Sequence, residues 1–236
     1  SRRVTARFAP IDPLAECMAP RSNPDTNWQI SPTHPKVLLS DTAWKTCLQQ
    51  RLSRGTPAAQ RFKALVDSQV GGSNNYGYEA WWSALMYQLT GEARYATHAI
   101  AMTDALVAAE EATIAAFVAN PDPNATPGLK VSYDSYLYVG EIIGGLATVY
   151  DWTHPLLTPQ QRERWIAYAN RAVANVWDSE NANWGGRRAR WTGWSVDNPF
   201  NNYYYSFLRA TMLLGLATHG ENPRAGAWLA KFRVDK

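Results

Sequence analysis

The stretch YDSYLYVGEIIGGLATVYDWTHPLLTPQQRERW, from Tyr133 to Trp165, decides the fold prediction. Its first part carries apolar residues at helical spacing as far as Trp152. A second helix is predicted from Thr158-Pro159 to Trp177, because threonine is a good N-cap and proline fits the first helical turn. The stretch therefore predicts two helices joined by a short turn, which is a helical hairpin.

The same pattern recurs on both sides of this hairpin. Further helices are predicted from Asp41 to Leu52, Thr56 to Val70, Tyr76 to Thr90, Glu92 to Ala119, Pro199 to Thr218, and from Asn222 onward. A weak internal repeat relates Trp82–Ala101 to Thr211–Ala230, with Gly-Glu at both turns. No alternating strand pattern occurs, so the sequence predicts an all-α fold of four antiparallel hairpins, stacked as a solenoid or closed into a ring.

Composition excludes several classes of protein. Among 236 residues, 46% are hydrophobic and 18% charged, which is the balance of a folded chain rather than a disordered one. A net charge of +3 is too small to favour nucleic acid as a partner, and no apolar run is long enough to predict a membrane span. The 11 Trp and 12 Tyr provide flat faces with a polar group, which suit sugar rings.

The chain divides into an arm and a body. Residues 1–37 are rich in proline and predict an extended arm that lies against the helical domain, 38–236. Cys17 and Cys47 fit either one disulfide or two thiols. Because no pair of histidines accompanies them, neither a metal nor a cofactor is predicted. The first residues lack an apolar signal segment, which fits a cytoplasmic protein or a mature exported chain.

The loop NWGGRRARWTGWSVDN, Asn183 to Asn198, is the most basic and aromatic part of the chain. Its predicted substrate-binding residues are Trp184, Arg187, Arg188, Arg190, Trp191 and Trp194. Arginine offers a planar fork to carboxylates, and indole offers a stacking face. The alternative is a solvated basic turn whose tryptophans cover a helix end.

Three segments resemble the alginate lyase and heparinase II/III group of polysaccharide lyases. They are Ala84–Ala99, Tyr133–Trp165 with its Tyr-Asp-Trp helix end, and NPFNNYYYSFLRATMLLGLAT from Asn198 to Thr218 with an Asn pair at the start of a helix. The resemblance implies an incomplete (α/α) toroid and an exported protein, secreted or periplasmic. It also implies that the chain is a fragment, with a C-terminal remainder of the same protein as a partner.

The implied reaction is metal-independent β-elimination on an anionic, uronic acid-containing polysaccharide. Asn201 or Asn202, at a helix start that favours negative charge, would neutralise the sugar carboxylate. For proton transfer, Tyr203 is the first choice, because it stands where much of the group has a histidine, with Tyr204 and Tyr205 behind it. Helical spacing places Asn202, Ser206 and Arg209 on one stripe.

Other aromatic residues divide between the cleft and the core. Tyr133 and Tyr136 are predicted to point into the same cleft as the Asn pair, whereas Tyr76, Trp81 and Trp82 are predicted to be core residues.

Two other functions remain open. A glycoside hydrolase would need two carboxylates beside the bond, and Asp134, Glu141, Asp151 and Asp197 are available. Of these, Asp151 is predicted to be structural because it lies near a helix end. The other alternative is a glycan-binding piece without catalytic activity.

Overall fold

The computed structural model of the protein describes residues 29–119, 138–177, 183–184, 187–188 and 198–235. Its helices are α1 (Thr42–Ser53), α2 (Pro57–Val70), α3 (Ala80–Thr90), α4 (Ala93–Ala119), α5 (Val139–Thr153), α6 (Pro159–Trp177), α7 (Asn202–Ala217) and α8 (Ala225–Ala230). A 3-10 turn, His154–Leu156, follows α5, and a π turn, Lys231–Asp235, follows α8. The two-residue strands β1 (Asn183–Trp184) and β2 (Arg187–Arg188) pair antiparallel within the predicted loop. The all-α prediction is confirmed.

Most predicted helix ends are found within one or two residues, because their signals are local. The carboxylate of Asp41 accepts hydrogen bonds from the first turn of α1, and Pro57 begins α2. Gly91 ends α3 with a φ of 76°, a conformation that glycine adopts without steric cost. Gly220 has a φ of 85° at the corresponding place after α7. These two glycines belong to the Gly-Glu pairs of the weak internal repeat.

The predicted starts of α3, α7 and α8 are too early, and α8 begins at Ala225 rather than at Asn222. Residues 76–79 form a turn, with Gly77 at a φ of 70°, so α3 begins at Ala80 rather than at Tyr76. Helix α7 begins at Asn202 rather than at Pro199, because Asn201 caps it. Tyr138 lies in the turn before α5, and the part of the predicted helix from 133 to 137 lies outside the described residues.

Helices α3, α5 and α7 lie side by side and run parallel. The amide of Gly140, early in α5, donates a hydrogen bond to Ser206 near the start of α7, and Tyr150, late in α5, bonds Glu221 after the end of α7. Between α3 and α5, Trp81 faces Gly145, and Gln88 at the other end of α3 donates to the carbonyl of Trp152. The three helices therefore start at one end of the layer and finish at the other.

Helices α4, α6 and α8 return the chain along this layer. Asp104 of α4 accepts hydrogen bonds from Gln161 and Trp165 of α6. Asn170 of α6 accepts a hydrogen bond from Trp228 of α8. The main core lies between the layer of α3, α5 and α7 and the helices α4, α6 and α8. Helix α5 is at the centre of this core, and twelve of the fifteen residues of α5 are buried. None of the described helices is both long enough and apolar enough to cross a bilayer.

The glycines of α5 set the distance between α5 and α7. A Cβ added at Gly140 would lie 2.7 Å from the Cα of Ser206 and would also overlap its carbonyl oxygen. We expect Gly140→Ala to destabilise the protein by about 1–3 kcal/mol, because backbone atoms cannot move away as a flexible side chain can. Urea unfolding followed by circular dichroism measures this loss.

Gly145 of the same helix provides the matched control. A Cβ there would meet only the ring of Trp81, at 3.8 Å, which is an ordinary contact. Gly145→Ala should therefore stabilise the protein by about 0.5–1 kcal/mol, the usual gain when alanine replaces glycine within a helix. Equal stability of the two variants would contradict the close contact between α5 and α7.

Candidate functional site

Of the residues predicted to act on a substrate, Asn201, Asn202, Tyr203 and Tyr205 lie at or near the start of α7. Helices α3, α5 and α7 all begin at one end of the layer, so the segments that precede them meet at this end, which we call the helix-start end. Backbone N–H groups at helix starts point outward and carry partial positive charge. An anionic group would be stabilised at this end more than at the opposite one.

Asn201 and Asn202 have different environments. Asn201 is the N-cap of α7, and its side-chain oxygen accepts a hydrogen bond of 2.9 Å from the Tyr203 amide. Asn202 is the first residue of α7 and is exposed, and its side chain makes no hydrogen bond to any residue within the described ranges. Neither asparagine is sealed inside the protein. Asn201 shapes the helix start, and the amide of Asn202 faces solvent.

The three tyrosines that follow also differ. Tyr203 is half-buried and packs against the main core, whereas Tyr205 is 58% exposed. Tyr204 is half-buried, and its ring meets the ring of Tyr205 edge to face at 5.3 Å. Tyr205 is therefore the most accessible phenol of the three.

Arg209 lies one helical turn after Tyr205. Arg209 is exposed, and its Nε atom lies close to the position that a Cβ atom of residue 144 would occupy if Gly144 had a side chain. Ser206, on the same stripe, accepts the hydrogen bond from Gly140, so this stripe follows the contact between α5 and α7. Within the described part of the chain, Arg209 has no ion pair. Its charge therefore lies beside Gly144 without a carboxylate partner among the described residues.

Exposed aromatic side chains surround this end. Tyr76 and Phe200 are almost fully exposed, and Tyr138 is 37% exposed. The prediction that Tyr76 is a core residue is wrong, because it lies in the turn before α3 and its side chain is exposed. Trp81 and Trp82, also predicted to be core residues, are half-buried. Only their three-dimensional position distinguishes these residues from core aromatics.

A cleft of about 260 Å³ opens between the starts of α3 and α5 and the middle of α4. Its lining includes Tyr78, Glu79, Trp81 and Glu141. The indole N–H of Trp81 donates a hydrogen bond of 2.6 Å to the Glu79 carboxylate, which fixes the orientation of the ring. The cleft thus combines an oriented aromatic face with two carboxyl groups.

Hydrogen bonds hold the wall of this cleft in place. The hydroxyl of Tyr78 bonds Ser83 at 2.6 Å, and Ser83 bonds Nδ1 of His98 at 3.0 Å. Burial raises the pKa of Tyr78 and lowers the pKa of His98. Burial therefore favours the neutral form of both side chains.

A second cluster lies at the opposite end of the layer, where α5 and α7 finish. Nδ1 of His34 lies 2.6 Å from the Asp151 carboxylate, and Nε2 lies 2.7 Å from Oε1 of Glu221. Nε2 of His154 lies 2.8 Å from Oε2 of Glu221, and the two imidazole rings stack at 3.7 Å. Each nitrogen of His34 therefore contacts a different carboxyl group.

The electrostatics of this cluster favour an ionised Glu221. Burial alone would raise the pKa of Glu221, but hydrogen bonds from His34, Tyr150 and His154 lower it to about 2. Burial also raises the pKa of Tyr150, and the bond that Tyr150 donates to Glu221 raises it further. Burial lowers the pKa of His154 despite its bond to Glu221. The nitrogen and oxygen atoms of His34, His154 and Glu221 thus lie within 4.8 Å of one another.

Asp151 anchors the segment before α1. It is fully buried and accepts hydrogen bonds from the backbone amides of Lys36 and Val37 and from His34. The indole of Trp152 donates to the carbonyl of Val37. The prediction that Asp151 is structural agrees with these contacts. Sequence reasoning did not connect His34, His154 and Glu221, because 120 and 67 positions separate them.

Several predicted residues cannot be placed. Tyr133, Tyr136, Arg190, Trp191, Trp194, Asp134 and Asp197 lie outside the described residues, and so do residues 1–28 of the predicted arm with Cys17. The structure describes Trp184, Arg187 and Arg188 only by their backbone pairing in β1 and β2. Cys47 is buried and disulfide-bonded, which decides between the two alternatives for this cysteine.

No family model, curated protein or solved structure matches the chain.

Proposed function

We propose that this chain is the helical part of a polysaccharide lyase that cleaves a uronic acid-containing polymer by β-elimination. One observation carries the proposal: exposed Asn202 lies at the same end of the helix layer as the exposed aromatic side chains of Tyr76, Tyr138, Phe200 and Tyr205. Amide donors suit a carboxylate, and aromatic faces suit sugar rings. Together they suit an acidic polysaccharide.

Charge neutralisation is the first requirement of the reaction. The proton at C5 of a uronate is very weakly acidic, because removing it beside a carboxylate accumulates negative charge. The side-chain amide of Asn202 would donate to that carboxylate at the start of α7, where the helix dipole also favours negative charge. Arg209, without an ion pair in the described ranges, would add a positive charge nearby.

Proton transfer is the second requirement. A tyrosine phenolate would take the C5 proton, the electron pair would form the C4–C5 double bond, and the C4–oxygen bond would break. A proton from an acid would go to the departing oxygen, and no water is consumed. Tyrosine has an ordinary pKa of about 10, so cations must lower it before the phenolate forms at neutral pH. Tyr203 and Tyr205 are the proposed pair, with Tyr205 the more accessible.

Substrate binding would extend over the helix-start end. The loop residues Trp184, Arg187, Arg188, Arg190, Trp191 and Trp194 precede α7, and Tyr133 and Tyr136 precede α5. Both segments join the layer at the end where Asn202 lies, which supports their assignment to the substrate. A polyanion held by arginines should bind more weakly as salt is added.

The toroid and the exported location belong to the same proposal. Parallel helices α3, α5 and α7, connected through α4 and α6, have the connectivity that an (α/α) toroid requires. A C-terminal remainder of the same protein would continue the ring. The disulfide at Cys47 supports an oxidising compartment, secreted or periplasmic.

A panel of polysaccharides tests the proposal. The protein is incubated with alginate, glucuronan and heparan-type polymers, and with a neutral glucan as control, in the presence of EDTA. We expect ultraviolet absorbance from an unsaturated uronate to rise together with reducing ends on one of the acidic polymers. Absence of unsaturated product from all of them, for this chain and for any longer chain that contains it, would refute lyase activity.

Glycoside hydrolysis is the second candidate, favoured by Glu79 and Glu141 in one cleft beside Trp81. Hydrolysis would raise reducing ends without ultraviolet absorbance, and Glu141→Gln would abolish that increase. A protein that binds glycans without cleaving them would give neither signal but would retain affinity in a pull-down.

A further inference from the structure

We infer that the cleft between the starts of α3 and α5 and the middle of α4 is a binding site for an organic cation, a protonated amine carried on a compact ring-shaped body. An acidic polysaccharide has the opposite charge, so this site goes beyond the proposed lyase chemistry and does not depend on it. The charge of the cleft, its aromatic side chain and its apolar lining each favour such a ligand.

Two carboxyl groups line the cleft without a cationic partner. Glu79 immediately precedes α3, and Glu141 lies in the first turn of α5. Neither forms an ion pair with any residue in the ranges that the structure describes, and the side chain of Glu79 does not cap α3. Negative charge is stabilised near a helix start. The cleft therefore attracts a cation and repels the carboxylate of a uronate.

The indole of Trp81 provides an aromatic surface beside these carboxylates. Its N–H donates to Glu79 at 2.6 Å, and its ring meets the rings of Trp82 and Trp152 edge to face, with centroids 6.0 and 6.4 Å apart. These contacts orient the ring before a ligand binds. A cation over an indole face is attracted by the electrons of the ring, and more strongly where water is excluded. Trp81 and the carboxylate that orients it can therefore bind one ammonium group together.

Apolar side chains complete the lining of the cleft. They are Met102 and Leu106 of α4 and Ile142 and Leu146 of α5. Apolar walls favour carbon groups over water, so the amine should be carried on a hydrophobic body. Sites for drug-sized molecules enclose about 300–1,000 Å³, and this cleft, with about 260 Å³, suits a smaller ligand, of the size of one six-membered ring.

Helix α5 meets different charges toward its two neighbours. The guanidinium of Arg209, from α7, lies beside Gly144, whereas Trp81, from α3, lies beside Gly145, which lines the cleft. The α7 side thus carries positive charge, and the α3 side carries the two carboxylates. An acidic polymer would follow α7, and an organic cation would bind beside α3. The ammonium can belong to a free amine or to an amino sugar, since both present the same charged group.

Titration of the purified chain with cyclohexylammonium chloride at constant ionic strength, followed by proton–nitrogen NMR of the indole groups, tests the site. We expect a saturable shift of the Trp81 indole signal, which Trp81→Phe identifies by removing it. Cyclohexanol has the same ring without the charge and should bind about fivefold more weakly. Glu141→Gln should weaken binding of the cation about fivefold. Glu163→Gln, at an exposed position of α6 outside the cleft, should bind as the parent does.

A second variant covers the case in which Glu141→Gln fails to fold. Glu79→Gln keeps an oxygen that can accept the Trp81 N–H but removes the charge, so it should show a similar loss of affinity. Absence of a saturable shift in the parent chain would overturn the inference. Equal affinity for cyclohexylammonium and cyclohexanol would overturn it too, as would unchanged affinity in the folded glutamine variants.

Glucosamine, with glucose as its uncharged control, identifies the source of the ammonium group. Tighter binding of glucosamine than of cyclohexylammonium would assign the cleft to an amino sugar, and weaker binding would assign it to a free amine. The titrations contain no polysaccharide, so failure of this site and failure of the proposed function are distinguishable.

Discussion

Replacing Asn202 with alanine should lower kcat on the acidic polymer about 10²–10³-fold, equivalent to about 2.7–4 kcal/mol of lost transition-state stabilisation. The reason is that its amide would meet the charge that grows on the sugar carboxylate during C5 deprotonation. The side chain of Asn202 makes no hydrogen bond with the rest of the described chain, so the folded state should be unchanged. Initial rates of ultraviolet absorbance, together with a melting temperature equal to that of the parent chain, measure the effect.

Asn201→Ser is the matched control for this prediction. Serine preserves the N-cap of α7, where Asn201 now accepts the Tyr203 amide, but removes the carboxamide. If Asn202 supplies the donor, Asn201→Ser should retain most of the activity. The reverse ranking, with Asn202→Ala active and Asn201→Ser inactive, would transfer the role to Asn201. Full activity in both variants would remove amide neutralisation from the mechanism.

Asp151→Asn should destabilise the protein by about 3–5 kcal/mol, the usual cost of removing one partner of a buried charged network. The carboxylate accepts two backbone amides and the ring of His34, whereas an asparagine has one acceptor oxygen and an NH₂ group that would face other donors. Denaturant unfolding followed by circular dichroism measures the loss. Hydrogen exchange should show reduced protection of the Lys36 and Val37 amides.

Glu111→Gln is the control for Asp151→Asn. Glu111 pairs with Arg164 between α4 and α6, but both side chains are partly exposed, so the loss should stay below about 1 kcal/mol. A similar small loss for Asp151→Asn, with Lys36 and Val37 still protected, would show that the segment before α1 is held by apolar packing of Val37 and Leu39 instead.

The helix ends show which structural features short-range sequence patterns can predict. Asp41, Pro57 and Gly91 mark their helix ends in sequence and in structure, because capping involves residues only two to four positions apart. The starts of α3 and α7 were predicted three or four residues early, because Tyr76 and Pro199 extend the apolar pattern without being helical. Periodicity alone does not distinguish a covered aromatic residue from one in an exposed turn.

In the candidate site, several features could not be predicted from short-range sequence patterns. The Asn pair was recognisable in sequence as a helix start, yet the separate roles of Asn201 as cap and Asn202 as exposed amide needed backbone geometry. Gly140 and Gly145 stand only five positions apart in α5, and only the contacts separate Gly140, which meets backbone, from Gly145, which meets one ring. Nothing in the sequence relates Glu79 to Glu141.

The sequence by itself determined an all-helical chain of hairpins, because caps, turn glycines and apolar spacing act between residues within about four positions of one another. The tertiary structure decided which helix ends meet. It made α3, α5 and α7 parallel, so that their starts share one end and their finishes share the other. It also joined His34, His154 and Glu221, because residues far apart in sequence meet only once the helices have packed around α5.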